Sequence, residues 1–358
     1  MAAVAAARER SRSPPADAKA EPKKHIGTTW LSEKDVGSVP VPKPGESVTA
    51  PFTYQGDEVA RGLLASGKVG TKRDASGSDG DYFGCDFVRR DCAVTNGRGR
   101  GFNLDNHGFQ LVDHGIEHPD YFNDEKVISD YYPMCCELVK RMTGAESVYA
   151  FDHNVRSKTL SEAKKKVEAG NAIQGPAFVV HNDYSSTSAP RRLRDLATPP
   201  KLNDTLRPLL GDTPLIDPTK VDDLLKGRWA LINVWRNVRT NPVQKLPLGM
   251  TSGPTIPLSD VITFEIHYAD RVGENYFAAH SKDHQWSYFP EMTRDEAVLL
   301  KVWDSAGEAF APKDGSSGKT VPATFSFHSA FEDPSSKPDA EDRESIEVRT
   351  IGFFPTGS

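Results

Sequence analysis

The sequence predicts a mainly β protein with flanking helices, a sandwich or barrel of the jelly-roll kind. Three observations carry this. Beyond residue 145, eight short β-rich runs follow one another, punctuated by turn residues. No internal repeat and no Gly-rich phosphate loop interrupts them. The one strongly helical segment lies ahead of them.

Taken in order, residues 1–25 are Ala-rich and charged, without the continuous apolar stretch of a secretory leader. They offer almost nothing to bury and read as a disordered tail. Residues 26–100, rich in Gly, Pro and Ser, read as an extended N-terminal arm lying on the body, and residues 101–358 as the β domain. "GFQLVDHG" (Gly108 to Gly115) alternates and stops at Gly, as a strand does. In "NDEKVISDYYPMCCELVKRMTGA", Val127, Ile128, Tyr131, Cys135, Leu138, Val139 and Met142 share one helical face. Asn123 or Asp124 caps that helix, Gly144 closes it, and Pro133 predicts a kink.

The β-rich runs are "ESVYAFDHNVR", "PAFVVHND", "RWALINVWRNV", "DVITFEIHYAD", "ENYFAAHSKDHQWSYFP", "EAVLLKVWDS", "ATFSFHSAF" and "ESIEVRTIGFF". Between them, "DPTKVDDLLKG" predicts a short helix ending at Gly227, and "RRLRD" (191–195) a solvated helix face. "TRDE" at Thr293 to Glu296 has capping-box spacing.

Composition narrows the function classes. The 358 residues are 37% hydrophobic and 26% charged, with a net charge of −6, so the chain has no electrostatic footprint for nucleic acid. No apolar run reaches the roughly 20 residues of a membrane-spanning helix. Cys85, Cys92, Cys135 and Cys136 form no CxxC pair, and reduced thiols in a cytoplasmic protein are the simplest reading. The partner expected is a small-molecule substrate, with no nucleic acid and no membrane; a homo-oligomer is left open.

The apolar run Ala177 to Val180 ends abruptly in His181, Asn182 and Asp183. A histidine and a carboxylate two apart at a strand end make either a metal grip or a polar strand terminus. His118 and Asp120 have the same spacing, but they flank a proline ahead of a helix and read as a surface turn. The downstream context separates the two pairs. His328 lies in another β-rich run, and Arg343 and Ser345 open the last one. Two histidines and one carboxylate are the facial triad of non-haem Fe(II) oxygenases. They leave positions for a bidentate 2-oxo acid and O2. The far carboxylate of 2-oxoglutarate then needs a two-point partner, and Arg343 with Ser345, on one face of a strand, supplies it. Arg349 is in phase with Arg343 and either assists that carboxylate or pairs with Glu347 or another acid. His267, His280 and His284 are rival third ligands, none followed so closely by an RxS strand. A carboxylate at Asp183 leaves no vacated ligand position for a halide, which disfavours halogenation.

The runs "VHNDYS", "INVWRNV", "HQWSYFPEM", "EAVLLKVWDS", "FHSAFEDP" and "RESIEVR" resemble the hydroxylase/desaturase branch of fungal secondary metabolism. That branch is related to the accessory chain of the cephamycin methoxylase and includes a meroterpenoid endoperoxide synthase. The resemblance covers roughly residues 100 to 355. It implies a double-stranded β-helix core, cupin-like, and Fe(II)/2-oxoglutarate chemistry with O2. It carries His181, Asp183 and His328 over as ligands, and Arg343 with Ser345 as the 2-oxoglutarate clamp. Two departures concern the substrate: Asn237 stands after Trp235-Arg236 where members usually have Pro, and no Asp lies near "PLGMTSG".

Substrate-wall candidates are Trp286 and Tyr288, which alternate along one run and either line the pocket or fill the core, together with Asn233 and Trp235 on one strand face. Tyr184, next to Asp183, is placed to shape the surroundings of the metal. The expected activity is oxidation of a small natural-product or amino-acid-like substrate by hydroxylation, desaturation or oxidative cyclisation, with release of succinate and CO2. The competing readings are a non-catalytic β-sandwich accessory chain and a cupin-like isomerase or dioxygenase without a co-substrate.

Overall fold

A computed structural model describes residues 36–59, 69–73, 79–163, 173–202, 204–268, 271–311 and 319–355. The tail expected over residues 1–25 lies outside them. In chain order the strands are β1 (Ser47–Gln55), β2 (Val69–Arg73), β3 (Asp79–Phe83), β4 (Phe87–Asn96), β5 (Phe109–Asp113), β6 (Ser147–Ser157), β7 (His181–Asn182) and β8 (Trp229–Asn237). They continue with β9 (Leu248–Thr251), β10 (Val261–His267), β11 (Val272–Ala278), β12 (Trp286–Tyr288), β13 (Glu296–Asp304), β14 (His328–Ala330) and β15 (Glu344–Phe353).

The strands form two sheets, the smaller in the order β5-β13-β8-β15-β6 and the larger in the order β1-β4-β12-β9-β14-β7-β11-β10-β2-β3. The protein is mostly β, and the two sheets make the expected jelly roll. β8 and β13 are buried along their whole length, which is why their sequences run apolar instead of alternating. One apolar core runs between the sheets.

The outer side of the smaller sheet is covered by the helix Tyr132–Thr143, which packs across β6, β15 and β8. The helical run that leads into it starts with Asp124–Lys126, which Asn123 caps by accepting the Lys126 N–H on its side chain. The helix does not simply kink at Pro133. The turn before it, Val127–Tyr131, is a π-turn, which makes room for the proline ring and for the hydrogen bond the proline cannot donate. Gly144, at φ 74°, closes the helix in the left-handed region.

The described segments within residues 47–96 differ from the expected arm. Ser47–Gln55, Val69–Arg73, Asp79–Phe83 and Phe87–Asn96 enter the larger sheet as strands. Val48, Ala50, Phe52 and Tyr54 are all buried, an inward period of two that the surrounding Gly, Pro and Ser obscured. The free edge of β1 then returns to the chain ahead of β7. Thr53 bridges Val179, and the Val180 N–H donates to the Thr53 carbonyl at 2.9 Å. Six strands (β1, β4, β12, β9, β14 and β7) therefore close on themselves around an aromatic filling. In it, Phe52 stacks on Trp286 at 4.1 Å and on Phe331 at 5.2 Å, and Tyr288 turns its edge to Phe331 at 5.2 Å. Glycine at position 249 leaves room for this: a Cβ there would stand 3.0 Å from the Phe52 ring and 3.2 Å from that of Phe331, tighter than ordinary packing.

Thr293 and Glu296 do form a box, with the Thr293 N–H on Glu296 Oε2 at 2.8 Å, but it turns the chain into β13 and not into a helix. "RRLRD" and "DPTKVDDLLKG" fall on the helices Ser188–Leu196 and Val221–Lys226 as expected. Among the described residues no helix is long and apolar enough to cross a membrane.

Candidate metal centre

β7 is only two residues long, but it is held on both sides. His181 is paired with His328 on β14 and with Phe277 on β11. The two imidazoles therefore stand side by side, ring centroids 4.3 Å apart. Asn182 anchors the turn that follows, donating from Nδ2 to the carbonyls of Tyr184 at 2.7 Å and Val302 at 2.9 Å. That turn brings Asp183 back to the histidines. Donor atoms of His181, Asp183 and His328 all lie within 4.8 Å of one another, and no other such group of three occurs among the described residues.

The protonation states suit a metal. His181 Nδ1 donates to the Val179 carbonyl at 2.7 Å, and His328 Nδ1 to the Ser326 carbonyl at 3.3 Å, which leaves each Nε2 as the free lone pair. Burial, then the neighbouring His328, pushes His181 down to about 4, and burial also lowers His328. For Asp183, burial works toward a higher pKa. The Arg349 guanidinium, the two imidazoles and the Asn233 amide outweigh it and hold the carboxyl well below its usual range. Two neutral imidazoles and one carboxylate fit a divalent iron without further ionisation.

The surroundings of Asp183 come from the smaller sheet. Its Oδ2 accepts from Asn233 Nδ2 at 2.8 Å and lies 3.3 Å from Arg349 Nε, while Oδ1 faces His181 Nε2 at 3.8 Å. Asn233, expected on the substrate wall, thus touches the carboxylate. Arg349, a candidate for the co-substrate, is instead engaged by three protein carboxylates: Asp152 at 2.9 Å, Asp183 at 3.3 Å and Glu347 at 3.5 Å.

Arg343 is the opposite case. It is buried, its Nη1 donates to the Leu246 carbonyl at 2.5 Å, and its guanidinium lies 5.4 Å over the Trp235 ring. Leu246 adopts φ 53° to present that carbonyl. Nε of Arg343 has no partner, and neither has the buried Oγ of Ser345. Burial, then the nearby Arg156, lowers Arg343 to about 9. No carboxylate pairs with it among the described residues. A buried cation and a buried hydroxyl with unused donors form a cradle for an anion, which is the fit that 2-oxoglutarate requires.

One cavity joins these groups. Its lining includes His181, His328, Trp235, Arg343, Glu347, Arg156, Leu248 and Ala330. Trp286 and Tyr288 do not reach it. The register puts Met250 opposite both His328 and Ser287, so the aromatics flanking Ser287 point to the other face of the sheet, into the closed six-strand filling. Tyr184 is buried and offers its carbonyl to the Asn182 anchor. The rival histidines are occupied elsewhere: His118 by Tyr121 at 2.7 Å and Asp295 at 3.1 Å, His267 by Glu265 at 2.8 Å, and His284 by Tyr54 at 3.3 Å, with His280 edge-on to Tyr54 at 5.1 Å.

Arg156 and Asp152 were not anticipated. The signal was available: in "FDHNVR", Asp152, Asn154 and Arg156 alternate as three polar positions on one strand face, opposite Arg349, Glu347 and Ser345. An entire polar face on a strand rich in buried residues is costly unless those groups bond one another or a ligand.

A family model described as "Oxidoreductase/YMDC permease-like domain" matches residues 73–353. The alpha-ketoglutarate-dependent dioxygenase phiK of a fungal species is 28% identical over 287 residues, covering 80% of this chain and 91% of the relative. The alpha-ketoglutarate-dependent dioxygenase tstK of Talaromyces stipitatus is 29% identical over 259 residues, 70% of this chain and 79% of the relative. The solved structure of the iron and alpha-ketoglutarate-dependent endoperoxidase NvfI superposes with a TM-score of 0.63 at 22% identity, over 86% of this chain and 98% of that one, a likeness of fold.

Proposed function

The chain belongs to this oxidoreductase family of Fe(II)/2-oxoglutarate-dependent dioxygenases, and we propose that it oxidises a neutral, largely apolar natural product. The observation that carries the reading is that His181 and His328, whose donor set Asp183 completes, line one cavity with an Arg343 guanidinium that has no carboxylate within ion-pair distance among the described residues. Iron held by His181, Asp183 and His328 would supply, with 2-oxoglutarate and O2 and at the expense of succinate and CO2 release, an oxidant able to abstract a hydrogen atom. Hydroxylation, desaturation and ring closure all begin from that abstraction.

The chain's own residues do the rest. His181, Asp183 and His328 hold the metal. Arg343 and Ser345 take the distal carboxylate of the co-substrate, with Trp235 packed against the guanidinium and shielding it from water. The two positive charges of the metal and the one of Arg343 would be matched by the Asp183 carboxylate and the dianionic co-substrate, which leaves no net charge among these groups for the substrate to satisfy. The remaining wall combines the apolar Ala177, Leu248 and Ala330 with Arg156, Ser329 and Glu347, which suits a largely apolar body held by a few polar groups.

The direct test is an anaerobic titration of the protein with Fe(II) and 2-oxoglutarate. A metal-to-ligand charge-transfer band should develop, saturate and disappear on admission of O2 with substrate. Absence of that band at saturating co-substrate overturns the reading.

A further inference from the structure

We infer that Arg349 is a positioning residue for the metal carboxylate: it fixes Oδ2 of Asp183 so that only Oδ1 meets the metal, and Asp152 fixes Arg349 in turn. This rests on the reading of His181, Asp183 and His328 as the iron ligands.

The arrangement is written into the strand register. Arg349 on β15 stands directly opposite Asp152 on β6 and directly opposite Asn233 on β8. Asp152, Arg349 and Asn233 therefore form one row across three hydrogen-bonded strands, their side chains on one face. Asp183 enters this row from the other sheet. A carboxylate oxygen has two lone-pair directions. Asn233 Nδ2 at 2.8 Å and Arg349 Nε at 3.3 Å use both on Oδ2. Oδ1 has no such donors and is turned toward His181 Nε2 at 3.8 Å, the side on which His328 also stands. A carboxylate held this way meets the metal through one oxygen.

Arginine is the residue type that can do this. Its planar fork faces three acceptors at once, with Nε on Asp183, Nη1 on Asp152 and Nη2 on Glu347. The fork is stationary because Asp152 is itself tied down: Thr205 Oγ1 donates to its Oδ1 at 2.8 Å while Oδ2 takes Arg349. The chain Thr205–Asp152–Arg349–Asp183 thus runs from the loop ahead of Leu206 to the ligand set. Partners of this kind commonly set metal affinity within roughly 10–100-fold.

The test separates metal affinity from co-substrate affinity. Co(II) is titrated into metal-free protein without 2-oxoglutarate, following its visible absorption, and 2-oxoglutarate is titrated separately into metal-loaded protein. Arg349→Gln should weaken Co(II) binding by about 10–100-fold and change the band shape as the carboxylate is freed to turn. Asp152→Asn should do the same more weakly, by several-fold. Neither should change 2-oxoglutarate affinity by more than about threefold, whereas Arg343→Gln should show the reverse pattern. If Arg349→Gln keeps the wild-type Co(II) affinity and spectrum and loses 2-oxoglutarate instead, the inference is overturned and Arg349 is a co-substrate residue. If Arg349→Gln does not fold, Asp152→Asn decides alone, since that side chain is 36% exposed: unchanged Co(II) affinity and band shape overturn the inference. His328→Ala is the reference. Retention of Co(II) in that variant would bring down the metal-site reading itself, an outcome distinguishable from failure of the Arg349 role alone.

Discussion

His181 and His328 are register partners on adjacent antiparallel strands, and their ring centroids lie 4.3 Å apart. Each points its free Nε2 the same way because each Nδ1 is bonded to a backbone carbonyl two residues back. His328→Ala should therefore abolish iron retention and turnover together. His118→Ala, which removes the rival histidine bonded to Tyr121 and Asp295, should leave iron binding unchanged. Equilibrium dialysis with Fe(II) under anaerobic conditions distinguishes the two. Iron retained at the wild-type level in His328→Ala would remove that residue from the ligand set.

A buried guanidinium with no carboxylate within ion-pair distance, as at Arg343, costs stability until its ligand arrives. Arg343→Met should raise the melting temperature of the protein measured without 2-oxoglutarate and should abolish the rise that 2-oxoglutarate gives the wild type. Arg343→Lys keeps the charge but loses the fork. The apparent 2-oxoglutarate affinity should fall by about tenfold or more, equivalent to about 1.4 kcal/mol or more. Differential scanning fluorimetry with a co-substrate titration reads all three effects. An affinity unchanged in Arg343→Lys assigns the clamp elsewhere.

Trp286 belongs to the filling and not to the pocket. Its Nε1 donates to Tyr54 Oη at 2.8 Å and its ring stacks on Phe52 at 4.1 Å. Trp286→Ala should cost about 3–5 kcal/mol of stability, read as a lowered urea midpoint. The fraction still folded should bind Fe(II) and 2-oxoglutarate normally. Trp235→Ala, at the cavity, should instead weaken 2-oxoglutarate binding. Normal stability with uncoupled turnover in Trp286→Ala would put that ring back on the substrate wall.

Acid should destabilise the protein over a defined window. Arg236 donates to His114 Nδ1, which accepts only when that nitrogen is unprotonated. Burial, then Arg236, holds His114 down to about 4, from 6.5. An unfolded chain takes up this proton near pH 6.5, while the folded protein resists until about pH 4. The unfolded state thus binds more protons in between, so stability is fully present above about pH 6.5 and falls as the pH drops toward 4. His284, pushed to about 4 by burial, contributes with the same sign. Urea midpoints measured from pH 8 to pH 4 should stay level and then decline, with a shallower decline in His114→Gln. An identical slope in that variant assigns the acid sensitivity to other histidines.

Much of the candidate metal site, the grouping of His181, Asp183 and His328, was legible because it sits in short, ordered signals. An apolar run stopping at His181-Asn182-Asp183, a later His328 and an Arg343-x-Ser345 strand opening are local patterns, and each element fell on or beside a strand. The groups that support them were harder to read, because they depend on register between strands far apart in the chain. Asn233, Asp152 and Arg349 fall into one row only when β6, β15 and β8 are aligned, and no local period reveals that alignment. The misplacement of Trp286 and Tyr288 has the same origin. Their alternation gave a shared face correctly, but which face was settled by Met250 standing between His328 and Ser287. β1 was missed for a different reason: its buried alternation sits in a stretch whose Gly and Pro content elsewhere signals irregular chain.

The closure of six strands by β1 has a consequence for how the molecule is made. Ser47–Gln55 precedes the other described strands in the chain, and β4 follows soon after. Its other edge must wait for Val179 and Val180, and the indole that stacks on Phe52 is more than 200 residues downstream, at position 286. The first of the described strands in chain order is thus among the last to be fully enclosed. Such long-range pairing is entropically costly to form and places the protein among slow folders of high contact order. Until it forms, Phe52 and Tyr54 are exposed on an open strand edge, the kind of surface on which nascent chains aggregate.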